Sequence, residues 1–212
     1  AYNLGIDRLS GWMKRFGFGM PTGIEISEEA TANMPSKEWK QKRYKRQWVQ
    51  GDTISVGIGQ GYWTATPLQV AKATAILVNN GKVNTPHLMK SVEGAKVEPY
   101  QDPRLYDDIS EPKQAYWDAA KRGMFNVVNS SAGTGRKAFV GANYYVAGKS
   151  GTAQVFSLKE NQKYNAAGLK KELHDHAWFT AYAPYENPQI IVSIILENAG
   201  GGSSNAAPVV RQ

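Results

Sequence analysis

Three strand-like runs in the last third of the chain constrain its fold most strongly. The first covers about residues 144–156, and two apolar runs follow at 177–183 and 189–196. Residues 184–188 separate the last two runs and combine two prolines with an asparagine, which is typical of a hairpin turn. Because helical patterns precede these consecutive strands, we predict an α+β fold in which helices flank an antiparallel sheet.

Helix signals in the first part of the chain have start and stop residues. Residues 3–16 show an amphipathic pattern with Asn3 as the predicted N-cap. Thr66 followed by Pro67 predicts the start of a second helix, which Asn80-Gly81 ends. Residues 23–26 are predicted as a short strand. Ser36 is predicted to cap a turn of helix that begins at Lys37.

The later non-strand segments are less regular. A helix is predicted over about residues 110–128, with Ser110 as its N-cap and Pro112 in its first turn. Residues 159–175 are charged and are predicted to be an exposed excursion with some helix. The glycine-rich residues 200–205 predict a flexible connector, after which a final helix begins at about Ala206.

The first strand carries the most chemically suggestive residues of the chain. Side chains alternate between the faces of a strand, so Lys149 and Gly151 share one face while Ser150 and Thr152 share the other. A cation beside hydroxyl groups and accessible backbone N–H groups suits a carboxylate or a developing oxyanion. A surface strand that merely carries a lysine explains the same residues without any function.

Composition limits the alternatives. The chain has no cysteine, which excludes disulfides, thiol catalysis and cysteine-based zinc sites. Its net charge of +7 suggests an acidic partner, and residues 37–48 interleave basic and aromatic side chains. This basic segment could form a module that binds nucleic acid. It could equally be a solvated loop or helix face anchored by Trp39, Tyr44 and Trp48.

No residue of the chain stands out as a nucleophile. Ser110 and Lys113 have S-x-x-K spacing, but Ser110 precedes a proline-containing helical turn, where a serine is an ordinary N-cap. Ser203 and Asn205 have S-x-N spacing within a glycine run that follows the strand. His174 and His176 lack a ligand-spaced carboxylate motif, so we predict no metal site and no cofactor.

Longer segments resemble the serine transpeptidase domain of the penicillin-binding proteins, in particular their elongation-type class B branch. The segments that carry this resemblance are residues 33–35, 38–43, 50–53, 55–69 and 146–156. Glycines at 57, 59 and 61 lack the spacing of a nucleotide-binding loop, and a tight turn feeding a helix is predicted there. The family carries three motifs in the order S-x-x-K, S-x-N and K-[ST]-G. Only the third, Lys149-Ser150-Gly151, is matched in order.

The resemblance implies a serine β-lactamase/transpeptidase-like fold with a five-stranded sheet, of which this chain would be the C-terminal part of one domain over residues 1–212. The first two motifs, with the nucleophilic serine, and two strands would lie before residue 1. Lys149 and the Thr152 backbone N–H, as an oxyanion donor, would be catalytic. The residues that bind substrate or β-lactam would be Lys149, Ser150, Gly151, Thr152, Ala153 and Gln154.

The activity implied is cross-linking of peptidoglycan stem peptides that end in D-Ala-D-Ala, in cell elongation. The expected partners are those peptides, β-lactam antibiotics, a SEDS-family glycosyltransferase and other elongation-complex proteins, with no nucleic acid. The location would be the periplasmic face of the bacterial inner membrane. A β-lactamase or D,D-carboxypeptidase relative is the alternative among enzymes. The chain by itself is expected to be inactive and not to fold independently.

Overall fold

A computed structural model describes residues 1–91, 93–94, 106–155 and 169–212 of the chain. These residues form two compact units, Ala1–Pro112 and Lys113–Gln212. None of the helices in the described ranges is long and apolar enough to cross a membrane. The predicted excursion at 159–175 lies outside the described ranges up to residue 168.

The described part of the first unit contains helices α1 (Gly5–Arg15), α2 (Lys37–Tyr44), α3 (Gln50–Gly57) and α4 (Pro67–Val78). Two predicted helix starts are confirmed. The Ser36 side chain accepts a hydrogen bond from the Trp39 backbone N–H at 3.1 Å. The Thr66 hydroxyl accepts one from the Gln69 N–H, while the Gln69 side chain accepts one from the Thr66 N–H, which closes a capping box before Pro67.

Two predictions in this unit are wrong, and one helix was missed. Asn3 is not the N-cap of α1, because the Leu4 and Gly5 N–H groups both donate to the Ala1 carbonyl and close the first turn through the backbone. Residues 23–26 join no strand in the described chain. There the Leu88 N–H donates to the Glu25 carboxylate at 2.9 Å, and this bond lowers the pKa of Glu25. Helix α3 was not predicted, because glycines at both of its ends mask the helical pattern.

The described part of the second unit contains a three-stranded antiparallel sheet of β1 (Ala147–Ala153), β2 (His176–Ala183) and β3 (Ile190–Leu196) in the order β1-β2-β3. Ala147 pairs with Tyr182 at one end of the β1 ladder, and Ala183 pairs with Ile190 next to the predicted hairpin turn. The three strands and the turn at 184–188 are confirmed. The first strand is shorter than the predicted range of 144–156, whose last residue lies outside the described ranges.

The other elements of this unit are α5 (Gln114–Asn129), α6 (Arg136–Phe139), a 3₁₀ turn (Lys171–Leu173), a π-type turn (Gly202–Ala206) and α7 (Ala207–Arg211). Their core centres on Phe179, which is fully buried with Val128, Phe139 and Ala206. Gly148 makes room for the Phe179 ring, because a Cβ built on Gly148 would lie only 2.7 Å from that ring. The final helix is confirmed.

Two predictions in the second unit are wrong. Helix α5 begins at Gln114 rather than at Ser110, and its N-cap Lys113 has an extended backbone. The proline at 112 therefore precedes the helix instead of lying in its first turn, in keeping with the bias of residues next to proline away from helical geometry. Residues 200–205 are not a flexible connector, because a π-type turn begins at Gly202 and packs into the core through Ala206.

Candidate active site

The candidate site is built on β1, an edge strand of the sheet in the described chain. Lys149 is exposed, and its ammonium group donates to the Ser150 carbonyl oxygen at 2.7 Å. It forms no ion pair with any carboxylate of the described residues. Within the described residues the lysine is thus held by its neighbour's carbonyl alone, a contact that it can exchange for an anionic ligand.

The predicted hydroxyl residues are arranged as strand alternation requires. Ser150 pairs with the buried Phe179 and Thr152 with the buried Ala177, so both lie on the face of the sheet that carries the core. Ser150 is half-buried, whereas Thr152 is exposed near the end of the strand. Ala153 is half-buried and ends β1, and the exposed Gln154 follows it. The structure thus brings the six predicted residues together along one edge.

Gly151 lies on the same face as Lys149 and has a close neighbour there. It pairs with Trp178 on β2, and a Cβ built on Gly151 would lie 3.2 Å from the Trp178 Cβ. The indole N–H of Trp178 donates in turn to the Ser193 hydroxyl on β3 at 3.3 Å. Trp178 therefore occupies the space that a side chain at 151 would need. Sequence reasoning missed this residue, since nothing local marks it as the partner of Gly151.

The two histidines near the start of β2 hold local structure. His176 accepts a hydrogen bond from the Asn198 N–H at 2.9 Å, and the Asn198 side chain donates to the His174 carbonyl. Burial raises the pKa of Asp175 between them, although both histidines oppose this effect. No group of three potential metal-ligating side chains occurs in the described residues.

The basic segment is mostly, but not wholly, a solvated surface. Lys40 is buried and pairs with Asp52 at 2.5 Å, and its ammonium lies 5.5 Å from the centre of the Tyr62 ring. The predicted anchors contact one another or this ring, with Trp39 and Tyr44 centroids 5.6 Å apart and Trp48 6.4 Å from Tyr62. The segment is therefore a mostly solvated surface with aromatic contacts, as predicted, and the buried Lys40 is the exception.

Comparisons with known proteins identify the fold and the family. The family model described as "Penicillin binding protein transpeptidase domain" matches residues 1–212. The peptidoglycan D,D-transpeptidase MrdA of Haemophilus influenzae is 81% identical over 212 residues, which are 100% of this chain and 33% of the relative. The chain thus spans about a third of the length of the curated relatives that it matches.

Solved structures agree. Penicillin-binding protein 2 (PBP2) of Pseudomonas aeruginosa, in complex with WCK 5153, is 43% identical with a TM-score of 0.86, over 99% of this chain and 43% of that one. PBP2 of Helicobacter pylori, in a complex with MreC, is 32% identical with a TM-score of 0.82, over 99% of this chain and 35% of that one. These matches confirm the predicted transpeptidase-like fold and disfavour the nucleic-acid-binding alternative.

Proposed function

We propose, because this chain belongs to the penicillin-binding protein transpeptidase family, that its β1 edge is one wall of a peptidoglycan D,D-transpeptidase active site. The observation that carries the proposal is the Lys149 ammonium, exposed on an edge strand beside Ser150 and Thr152 and held only by a neighbouring carbonyl in the described chain. The opposite wall, with the serine nucleophile, would come from a part of the protein outside these 212 residues.

In this proposal Lys149 binds the terminal carboxylate of the stem peptide or the carboxylate of a β-lactam. The ammonium releases the Ser150 carbonyl and donates to the ligand, and such charge-assisted hydrogen bonds are short and strong. The family resemblance also assigns the Ser150 and Thr152 hydroxyls to this carboxylate. Because they lie on the face of β1 opposite Lys149, the carboxylate would have to lie at the edge of the strand. Gly151 leaves room for the Trp178 side chain on the neighbouring strand, which a side chain at 151 would displace.

The reaction is an acyl transfer in two steps. The serine Oγ attacks the carbonyl carbon of the penultimate D-alanine, the terminal D-alanine leaves as the amine, and an acyl-enzyme forms. An amine of a neighbouring stem peptide then attacks the ester carbonyl and releases the serine. The Thr152 backbone N–H is proposed as a donor to the oxyanion of both tetrahedral intermediates, where loss of one donor costs about 100- to 1000-fold in rate.

Replacement of the lysine tests this assignment. In the complete protein we expect Lys149→Ala to slow acylation by a fluorescent penicillin by about 10- to 100-fold, because a hydrogen bond to a charged group is lost. Lys171→Ala removes another exposed cation, from the 3₁₀ turn of the same unit, and should leave the rate unchanged. An unaltered acylation rate in Lys149→Ala would refute the site.

The cellular setting is part of the same proposal. The solved Helicobacter pylori relative is in a complex with MreC, and the family resemblance adds a SEDS-family glycosyltransferase as partner. We therefore propose that the complete protein acts in cell elongation on the periplasmic face of the inner membrane. Copurification of the tagged complete protein with its MreC homologue from solubilised membranes is the measurement, and recovery of the protein alone would count against this setting.

A further inference from the structure

The glycine-rich turn that follows β3 lies directly against the site strand. Gly202 is buried, and a Cβ built on it would overlap the carbonyl oxygens of both Trp178 and Gly151 and lie 3.1 Å from the Gly151 nitrogen. All of these neighbours are backbone atoms of paired residues in the sheet, which have little freedom to move. Only a glycine allows the turn to approach the sheet this closely.

The turn contacts the sheet on the face opposite Lys149. Ala206, at the end of the turn, packs into the core with Phe179 and Ala177, which lie on the face of Ser150 and Thr152. Lys149 and Gly151 alternate with Ser150 and Thr152 along β1. The side-chain directions at 149 and 151 therefore point away from the turn. Gly202 therefore supports the Gly151 backbone from the face opposite Lys149, while the Trp178 side chain lies beside Gly151 on the Lys149 face.

The turn itself is held in place by several hydrogen bonds. The Asn205 side chain donates to the Ala199 carbonyl at 2.6 Å, and the Asn205 N–H donates to the Gly201 carbonyl at 3.0 Å. The Gly200 N–H donates to the Asp175 carbonyl at 2.7 Å. An added methyl group at 202 is thus confined between a braced turn and the sheet. Strand β1 can move away from it, because among the described residues it pairs with β2 on one side alone.

We propose that Gly202 is a positioning residue, whose contact with the Gly151–Trp178 pair sets the position of the β1 backbone and so the place of the Lys149 ammonium. The inference rests on the proposed function, because it concerns how the same site holds a carboxylate. It predicts a defect that is specific to ligands that carry this charge.

The experiment compares two β-lactams on the complete protein. Benzylpenicillin offers the carboxylate to Lys149, whereas its methyl ester does not, so the ratio of their acylation rates reports the lysine contact. In Gly202→Ala we expect this ratio to fall about 10- to 100-fold, since a shift of about 1 Å in a reacting geometry costs up to about 100-fold. A merely destabilised protein would lose both rates together and keep the ratio.

Gly201→Ala is the matched control. It adds a methyl group one residue earlier in the same turn, where a Cβ would meet only the Ser204 hydroxyl at 2.9 Å, the end of a rotatable side chain. We expect its ratio to equal that of the unmodified protein. An unchanged ratio in Gly202→Ala overturns the inference.

A second variant decides the question if Gly202→Ala does not fold. Asn205→Ala removes the brace to Ala199 and lets the turn relax away from β1 without adding volume. We expect a smaller fall in the same ratio, and a ratio equal to that of the unmodified protein overturns the inference.

Failure of the proposed function gives a different result. If the unmodified protein is acylated by neither compound, the proposed function fails and this inference fails with it. Normal acylation of the unmodified protein with unchanged ratios in the variants contradicts the inference and leaves the proposed function intact.

Discussion

Lys40 differs from the other cations of the basic segment because it is buried in an ion pair. Its side chain is 7% exposed and that of its partner Asp52 is 13% exposed, with 2.5 Å between Nζ and Oδ2. Asp52 also accepts from the Val49 backbone N–H at 2.8 Å, at the first turn of α3. One carboxylate therefore links α2 to α3 and caps the second of these helices.

We expect Asp52→Asn to destabilise the complete protein by about 3–5 kcal/mol, because it leaves the Lys40 charge buried without its counterion. Urea unfolding followed by circular dichroism measures this change. Asp7→Asn breaks the Lys37–Asp7 pair, whose side chains are 59% and 66% exposed, and should cost no more than about 1 kcal/mol. Equal costs for the two variants would contradict the role given to burial.

At the scale of elements, α4 combines a local signal with a long-range one. Thr66, Pro67 and Gln69 form its capping box, which the residue types predict. The fully buried Gln69 side chain also donates to the Met20 carbonyl at 2.9 Å and the Thr31 carbonyl at 2.7 Å. The helix start was predictable, whereas these bonds to residues 38 and 49 positions away were not.

Two substitutions separate these roles. Thr66→Ala removes only the cap and should cost about 1 kcal/mol. Gln69→Ala also leaves two carbonyls without donors and a void at a buried position, so we expect about 2–4 kcal/mol. Thermal melts of the complete protein measure both losses of stability. A loss in Gln69→Ala no larger than that in Thr66→Ala would show that the bonds from Gln69 to the Met20 and Thr31 carbonyls contribute nothing.

Helix starts show where local patterns fail. Ser36 and Thr66 cap their helices as predicted, while Asn3 and Ser110 do not, although all four are favourable N-cap residues. The difference is in what the neighbouring backbone can do. The Ala1 carbonyl closes the first turn of α1, and Pro112 delays the start of α5 to Gln114.

For the whole molecule, the outer edge of β3 is the feature with the largest consequence. Among the described residues β3 pairs only with β2, and Ile190 at its start is 58% exposed. Unpaired apolar edges recruit other strands. We expect residues 1–212 expressed alone to self-associate and to melt without cooperativity, as measured by analytical ultracentrifugation and calorimetry.

A charge on this edge provides the control. Ile190→Lys should reduce self-association of the isolated chain, because a lysine on an edge strand opposes further pairing. Ile58→Lys places the same charge at an exposed isoleucine in the first unit, which does not contain the sheet, and should have a smaller effect. A monomeric chain that melts cooperatively would show that the edge needs no partner.

The sequence by itself determined the strands, their hairpin, two helix caps and the Lys149-Ser150-Gly151 segment, because alternation, capping and turn chemistry act between residues that are close along the chain. Only the tertiary structure decided that Trp178 lies beside Gly151, that Gly202 supports the strand from behind and that Lys40 is buried against Asp52. These contacts depend on which surfaces pack together, and that packing involves side chains from all parts of a unit. A glycine run reads locally as flexibility, whereas in the fold its missing side chain lets two backbones meet behind the site.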